Sequence, residues 1–212
     1  MIALEVEAPY ANFRKSFARS YAETYTYPPP STVYGMLLSL VGERQRRTHL
    51  GARLAIGFLD TPRLSTILKK LSRFKYGVPA KQSKLGNAPD YMEIVCGIHF
   101  ILCVDSADEP QQPTLEERTA VALDSPESVT RTGVLCLGLS DDLVDCVQRL
   151  RADSPRKVDW LIADPTGSLE LPVWVDHVGS ADTRWRRYRM KSIESNEPPL
   201  EAWTSIIPPE SL

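Results

Sequence analysis

The 212-residue chain is 42% hydrophobic, and its 25 Lys and Arg stand against 27 Asp and Glu, which excludes a disordered protein and provides for one good core. A formal net charge of −2 carries no nucleic-acid signal by itself, so such a role has to rest on local asymmetry. Cys96, Cys103, Cys136 and Cys146 include no C-x-x-C pair, and the chain has neither a signal peptide nor an apolar run long enough to span a bilayer, so zinc and membrane roles are set aside and a soluble, cytoplasmic protein with buried reduced thiols is expected.

Ile2, Leu4 and Val6 alternate with Ala3, Glu5 and Glu7, predicting a strand that stops at Pro9. From Tyr10 to Thr26 the sequence reads as a loop that mixes Phe13, Phe17, Tyr21 and Tyr25 with Arg14, Lys15 and Arg19. That mixture suits base stacking with phosphate contact, and equally an ordinary loop pinned by buried aromatics. Pro28, Pro29 and Pro30 give an extended approach to a helix that Ser31 or Thr32 can cap. Val33, Met36, Leu37, Leu40 and Val41 form its apolar face, and Gly42 suits a left-handed C-terminal cap. Gly35 and Ser39, one turn apart, leave a bare stripe on which a neighbouring strand or a nucleic-acid backbone can lie close.

Leu54, Ile56 and Phe58 predict a second strand, and Tyr91 to Val104 carries the strongest strand signal in the chain. Between them, Thr61 to Pro89 holds Arg63, Lys69, Lys70, Arg73, Lys75, Lys81 and Lys84 without one Asp or Glu. Turn formers at Gly77-Val78-Pro79 and Gly86-Asn87-Ala88-Pro89 make this an exposed basic projection; a merely solvated lysine-rich loop is the plainer alternative. Thr114 and Glu117 have capping-box spacing, and the acids Asp105, Asp108, Glu109, Glu116, Glu117, Asp124 and Glu127 mark a surface for a protein partner.

Val134 to Leu139 predicts a fourth strand, followed by a short helix capped by Ser140 with Leu143, Val144, Val147 and Leu150 on one face. Asp141, Asp142 and Asp145 are then favourable charges at its positive end. Val158–Ile162 and Leu169–Val175 flank Asp164-Pro165-Thr166-Gly167, predicting a hairpin. Arg184, Trp185, Arg186, Arg187, Tyr188, Arg189 and Lys191 interleave cations with aromatics, as a phosphate-and-stacking surface or a charged edge strand does. The strand, helix, strand, strand, helix, strand order from Ile2 to Leu139 predicts an α+β, ferredoxin-like or RRM-like (βαββαβ) core over 1–152, with a thumb-like basic projection inserted at about 61–89 and a small C-terminal β extension over 153–212.

Leu4 to Pro9, Phe13-Arg14, Tyr27-Pro28 through Ser31-Thr32, Gly35 and Val41-Gly42 together resemble the N-terminal signature of the CRISPR-associated Cas five family of the RAMP superfamily. Gly133 to Val144 resembles that family's glycine-rich strand with its Ser-x-x-Leu-Val segment, although the family often has an acidic residue where Leu139 stands. No resemblance extends beyond Ala152. The resemblance implies a non-catalytic subunit of a type I Cascade complex that grips the 5′ handle of crRNA and caps the Cas seven filament next to the large subunit, near the PAM of target DNA. It implies no cofactor and no metal.

The RNA-binding residues expected on this reading are Phe13, Arg14, Lys15, Arg19, Tyr27, Ser31, Thr32, Tyr34, Gly35, Lys69, Lys70, Arg73, Lys75, Lys81, Lys84, Arg184, Arg186 and Arg187. Some family members resemble metal-independent endoribonucleases that process precursor RNA, and a protein-interaction scaffold is a third reading. Catalysis without metal needs a general base and a cation. Of the three histidines, His49, His99 and His177, only His99 has a conceivable partner set, in Tyr34 and a lysine of the basic projection.

Overall fold

The computed structural model describes residues 1–18, 21–72, 87–151, 154–176 and 181–208. Arg19, Arg73, Lys75, Lys81, Lys84 and His177 therefore lie outside the described residues. The first strand, β1 (Ile2–Ala11), buries Ile2, Leu4, Val6 and Ala8 as the alternation requires. It does not end at Pro9. Ala8 pairs with Ile98 and Tyr10 with Cys96, so the ladder steps over the proline, which has no N–H to contribute.

Helix α1 (Pro30–Leu40) starts without a side-chain cap: Pro29 is the N-cap, Pro30 fills the first helical position, and Ser31 and Thr32 already lie inside the helix. Val33, Tyr34, Met36, Leu37, Leu38 and Leu40 are buried against the sheet. Gly42 has φ +70°, and a Cβ there would stand 2.4 Å from the Thr130 carbonyl oxygen, so both conformation and space demand glycine.

The remaining elements are β2 (Arg53–Phe58), β3 (Arg63–Ser72), β4 (Asn87–Asp105), α2 (Leu115–Asp124), β5 (Cys146–Arg149), β6 (Lys157–Ala163), β7 (Leu169–Trp174), β8 (Arg184–Glu194) and β9 (Thr204–Ser205). They form one sheet in the order β5-β1-β4-β2-β6-β8-β7, with β3 added to β4 and β9 to β2. Each ladder between these strands is antiparallel. β4, 19 residues long, is its spine: residues 100–105 pair with β2, residues 87–96 with β3, and residues 95–104 with β1. Thr114 and Glu117 form the expected reciprocal capping box at the start of α2.

Both faces of the central strands are covered. Leu4, Val6, Leu54, Phe58, Phe100 and Leu102 join α1 in the main core, while Ile101 and Cys103 pack on the other face with Val158, Trp160 and Ile162 of β6. Trp160 approaches so closely that a Cβ on Gly57 would meet its ring at 2.8 Å. All four cysteines are free, but only Cys103 is buried, with burial pushing its thiol up to about 12.

Three expectations for the second half fail. Residues 134–139 form no strand: they contain only an isolated bridge, Cys136 to Leu143, because Gly133 (φ +80°) and Gly138 (φ +117°) turn the chain. Ser140 starts no helix; Cys146–Arg149 instead pairs with Leu4–Glu7, and open edge hydrogen bonds on β1 outweigh the helical periodicity. Asp142 is therefore no helix-end charge. Its buried carboxylate accepts hydrogen bonds from the amides of Asn12 (2.8 Å) and Leu139 (2.9 Å). Finally, the Asp164–Gly167 turn forms, but β6 and β7 do not pair; β8 lies between them. The cation-rich strand is thus an interior strand, with Tyr188 buried and its arginines exposed.

Candidate nucleic-acid interface

At Gly35 the bare stripe of α1 is not packed against a strand. Nothing among the described residues comes within 4 Å of a Cβ built on Gly35, so this glycine makes no packing contact. It opens instead into a cleft of about 300 Å³ whose floor includes Ser31, Thr32, Tyr34, Gly35 and Ser39. Cys136 and Gly138 line the opposite side, and Val173, Trp174 and Val175 complete the wall together with Arg46. The two stretches singled out in the sequence, about a hundred residues apart, thus converge on one cavity. Gly138 lets them meet, since a Cβ there would sit 2.8 Å from the Asn12 carbonyl oxygen. Among the described residues the buried Ser31 hydroxyl has no hydrogen-bond partner.

Arg46 is the cation of this cleft, and the sequence reading missed it. Its guanidinium lies 4.3 Å from the centre of the Trp174 ring and donates to the Val175 carbonyl. The signal that could have found it is the Arg44-Gln45-Arg46-Arg47 run that begins two residues after Gly42. Tyr34 reaches the cleft only from below: it is buried, its hydroxyl donates to the Arg46 carbonyl at 2.9 Å, and burial pushes its pKa up. It serves as structure, with no free hydroxylate to offer.

The loop after β1 splits. Phe13 is only 2% exposed and its ring belongs to the core, so it offers no stacking surface; its amide donates to Thr24 Oγ1 at 2.7 Å. Arg14 donates to the Ala18 carbonyl at 3.1 Å. The loop is fastened to β4 through Glu93, whose carboxylate accepts from the Thr24 amide and the Tyr21 hydroxyl. Lys15 and Tyr27 do meet, in a second cleft of about 490 Å³ with Phe17, Tyr25 and Trp185. There Lys15 is ion-paired with Glu23 at 3.2 Å, and the Tyr25 and Trp185 rings lie 6.2 Å apart.

Of the basic projection, β3 and the first half of β4 form an antiparallel ribbon from Arg63–Cys96 to Ser72–Asn87. Lys70 is exposed on it. Lys69 spends its charge on Asp141, 2.8 Å away, so it is tied to the 138–142 turn. On β8, Arg184 and Arg186 are exposed, and Arg187 stands 3.7 Å from Glu170.

His99 is nowhere near Tyr34; the two line separate cavities. Its Nδ1 lies 3.0 Å from Asp60 and its Nε2 2.8 Å from Glu5. Burial alone would lower its pKa, but the hydrogen bonds to Glu5 and Asp60 and the charge of Glu7 more than offset that, and the net shift is upward. The expected Tyr34, His99 and lysine constellation does not form. The acidic surface is also less open than the sequence suggests: Glu109 is buried against His49, Asp105 pairs with Arg53, and Asp124 with Arg149.

Fold and clefts define the class: a mixed α/β protein with one antiparallel sheet and few helices, consistent with an RRM-like RAMP fold, whose helix-side cleft is built from small residues and a stacked arginine. In fold it is similar to a chain of a "CRISPR RNA-guided surveillance complex" (TM-score 0.62, 15% identity, 92% of this chain and 90% of that one) and to a chain described as "Crystal structure of Cas protein" (TM-score 0.53, 14% identity, 92% and 95%). Residues 1–133 match the family model described as CRISPR-associated protein (Cas_Cas5). The chain is also 40% identical over 195 residues, 91% of each protein, to "CRISPR-associated protein Cas5" of Myxococcus xanthus (strain DK1622). The chain belongs to the CRISPR-associated Cas5 family.

Proposed function

We propose that this chain is the non-catalytic RNA-binding subunit of a CRISPR type I (Cascade) surveillance complex, gripping the 5′ handle of crRNA in the α1 cleft. The observation that carries this reading is the convergence of residues 31–35 and 136–138 on a cavity where Gly35 leaves the helix backbone open to close approach. A phosphate or base edge there would lie over the bare Gly35 backbone and meet the Arg46 guanidinium, which is already oriented by Trp174. The exposed Lys70 on the β3–β4 ribbon, and separately Arg184 and Arg186 on β8, supply sequence-independent phosphate attraction.

The finer architecture and the partners belong to the same proposal. The order β5-β1-β4-β2, with α1 between β1 and β2 and α2 between β4 and β5, supports a ferredoxin-like βαββαβ core over residues 1–152. The ribbon then acts as the base of the thumb, and residues 153–212 add a β extension. Cas seven backbone subunits, the large subunit and target DNA near the PAM are the neighbours this subunit meets, in the cytoplasm. No helix among the described residues is long and apolar enough to cross a membrane.

The test is binding of handle-containing precursor RNA by the purified chain in EDTA. Binding without cleavage is expected, and Arg46→Ala should weaken it by about 1–3 kcal/mol, as loss of a charge-assisted contact does. Cleavage in EDTA would overturn the non-catalytic assignment, and unchanged affinity in Arg46→Ala would remove the cleft from the RNA path.

A further inference from the structure

The sheet face turned away from α1 carries a cluster that RNA binding does not use. Glu5 and Glu7 are two apart on β1 and so share a face, and Glu7 is the register partner of His99 on β4. The ladder itself therefore brings two carboxylates and one imidazole together on adjacent strands. One donor atom from each lies within 4.8 Å of the other two, with His99 Nε2 2.8 Å from Glu5 Oε1 and 3.8 Å from Glu7 Oε1. That spacing suits a single ion bound at about 2.1 Å from each donor, after a small closing movement of Glu7.

We propose that Glu5, Glu7 and His99 form a binding site for one divalent first-row transition-metal ion, of the class represented by Mn²⁺ and Zn²⁺. The donor chemistry selects the class: one imidazole with two carboxylates is too nitrogenous for Ca²⁺ or Mg²⁺ and lacks the thiolates that select softer ions. Asp60 provides the outer support. Its carboxylate lies 3.0 Å from Nδ1 of His99, which fixes the ring and turns Nε2 toward the two glutamates, the carboxylate–histidine arrangement that metal-binding imidazoles use. Arg156 donates to Glu5 Oε1 at 2.8 Å and steadies that carboxylate from the other side, so an ion takes over the place of the His99–Glu5 hydrogen bond and leaves the arginine contact intact.

Access distinguishes this cluster from a closed ion-pair network. A cleft of about 770 Å³ opens on it, lined by Glu7, Asp60, His99 and Asp145 among others. The Glu7 side chain is 49% exposed and, among the described residues, its ion-pair contact is with His99. Asp60 and Asp145 outnumber Arg63 on the cleft wall and draw a cation in, and exchangeable water from the cleft completes the coordination.

The experiment is titration of the full chain, freed of metal with EDTA and dialysed, with Mn²⁺ followed by electron paramagnetic resonance and with Zn²⁺ followed by calorimetry. Mn²⁺ guards against binding at the free thiols, which prefer softer ions. One saturable site per chain is expected for each ion, with Zn²⁺ displacing Mn²⁺. Glu7→Gln and His99→Ala should each weaken Mn²⁺ binding more than tenfold, and Asp60→Asn should weaken it about tenfold, the usual size of an outer-shell effect. Glu7→Gln keeps the test decisive if His99→Ala unfolds, because Glu7 is half-exposed and its amide replacement has the same shape. Absence of a saturable Mn²⁺ site, or a site that Glu7→Gln leaves unchanged in a protein with wild-type circular dichroism, would overturn the proposal. Neither outcome bears on RNA binding in EDTA, so the two readings fail separately.

Discussion

His49 and His99 each stand beside a carboxylate and within an arginine network, yet one is sealed and the other faces a cleft. His49 and Glu109 have fully buried side chains and are in direct contact. Arg118 Nη1 donates to His49 Nε2 at 2.9 Å, which leaves Nδ1 as the protonated nitrogen that donates to Glu109. The same arginine reaches Glu43 (2.7 Å) and the Val41 carbonyl (2.9 Å), and Glu109 also accepts from the Leu115 amide. The network closes the end of α1 onto the start of α2, and its charges are spent internally. The cluster around His99 has partners too, but Glu7 and His99 border the cleft. The difference teaches that the same residue types make a lock where every polar atom is satisfied in the core, and a receptor where some donor capacity faces a cavity.

If sealing is what separates the two, stability should follow the buried network and ligand effects the open sites. The largest expected effect is on the lock: Glu109→Ala leaves the buried His49 Nδ1–H and the Leu115 amide without their acceptor and should cost about 3–5 kcal/mol, roughly 1–3 kcal/mol for each orphaned donor plus the lost packing. Chemical denaturation with a midpoint near that of the wild type would show that the network is not what joins α1 to α2.

Gly35 tests the open side. Gly35→Leu replaces a helix-interior glycine at which a Cβ meets nothing among the described residues, so the melting temperature should hold or rise, since leucine has the higher helix propensity by roughly 0.5–1 kcal/mol. Affinity for handle RNA should nevertheless fall by about 1–3 kcal/mol because the side chain fills the cleft. A drop in melting temperature with unchanged RNA affinity would reverse the assignment of sealed and open sides.

The rim of the lock can be probed with pH. The Arg118 hydrogen bond, aided by the Gln45 amide, holds the Glu43 carboxyl below its ordinary value of 4.5. A depressed folded-state value means that the stabilisation is fully present above 4.5 and is lost as pH falls below it through the folded-state value. Glu43→Gln should therefore cost about 1–2 kcal/mol near neutral pH and progressively less in acid, the size of a charge-assisted hydrogen bond that is not wholly buried. Parallel stability curves for the two proteins from pH 7 down to strong acid would contradict the pairing.

The smallest stability effect is expected at the open histidine. His99→Gln should change stability by less than about 1 kcal/mol in metal-free buffer, as partly exposed ion pairs do. A loss as large as that of Glu109→Ala would make His99 a second lock and erase the contrast.

Local chemistry alone determined much of this protein. The alternation of Ile2, Leu4 and Val6, the apolar face of α1, the left-handed Gly42, the Thr114–Glu117 capping box and the Asp164–Gly167 turn are each settled by residues within a few positions of one another. So was the surplus of cations between β2 and β4. Strand pairing was not, because a hydrogen-bonding edge accepts whatever strand the rest of the fold brings to it. That is why Cys146–Arg149, helical by periodicity, pairs with β1, and why β8 separates β6 from β7. The interface depends on the same long-range choices. Gly35 could have served a strand or a ligand, and only the position of Trp174 and Gly138 leaves it facing an open cleft; Lys69 reads as a free cation until the 138–142 turn brings Asp141 to it. Charge and bareness are properties of residues, whereas partnership is a property of distances, and those are set when the sheet closes.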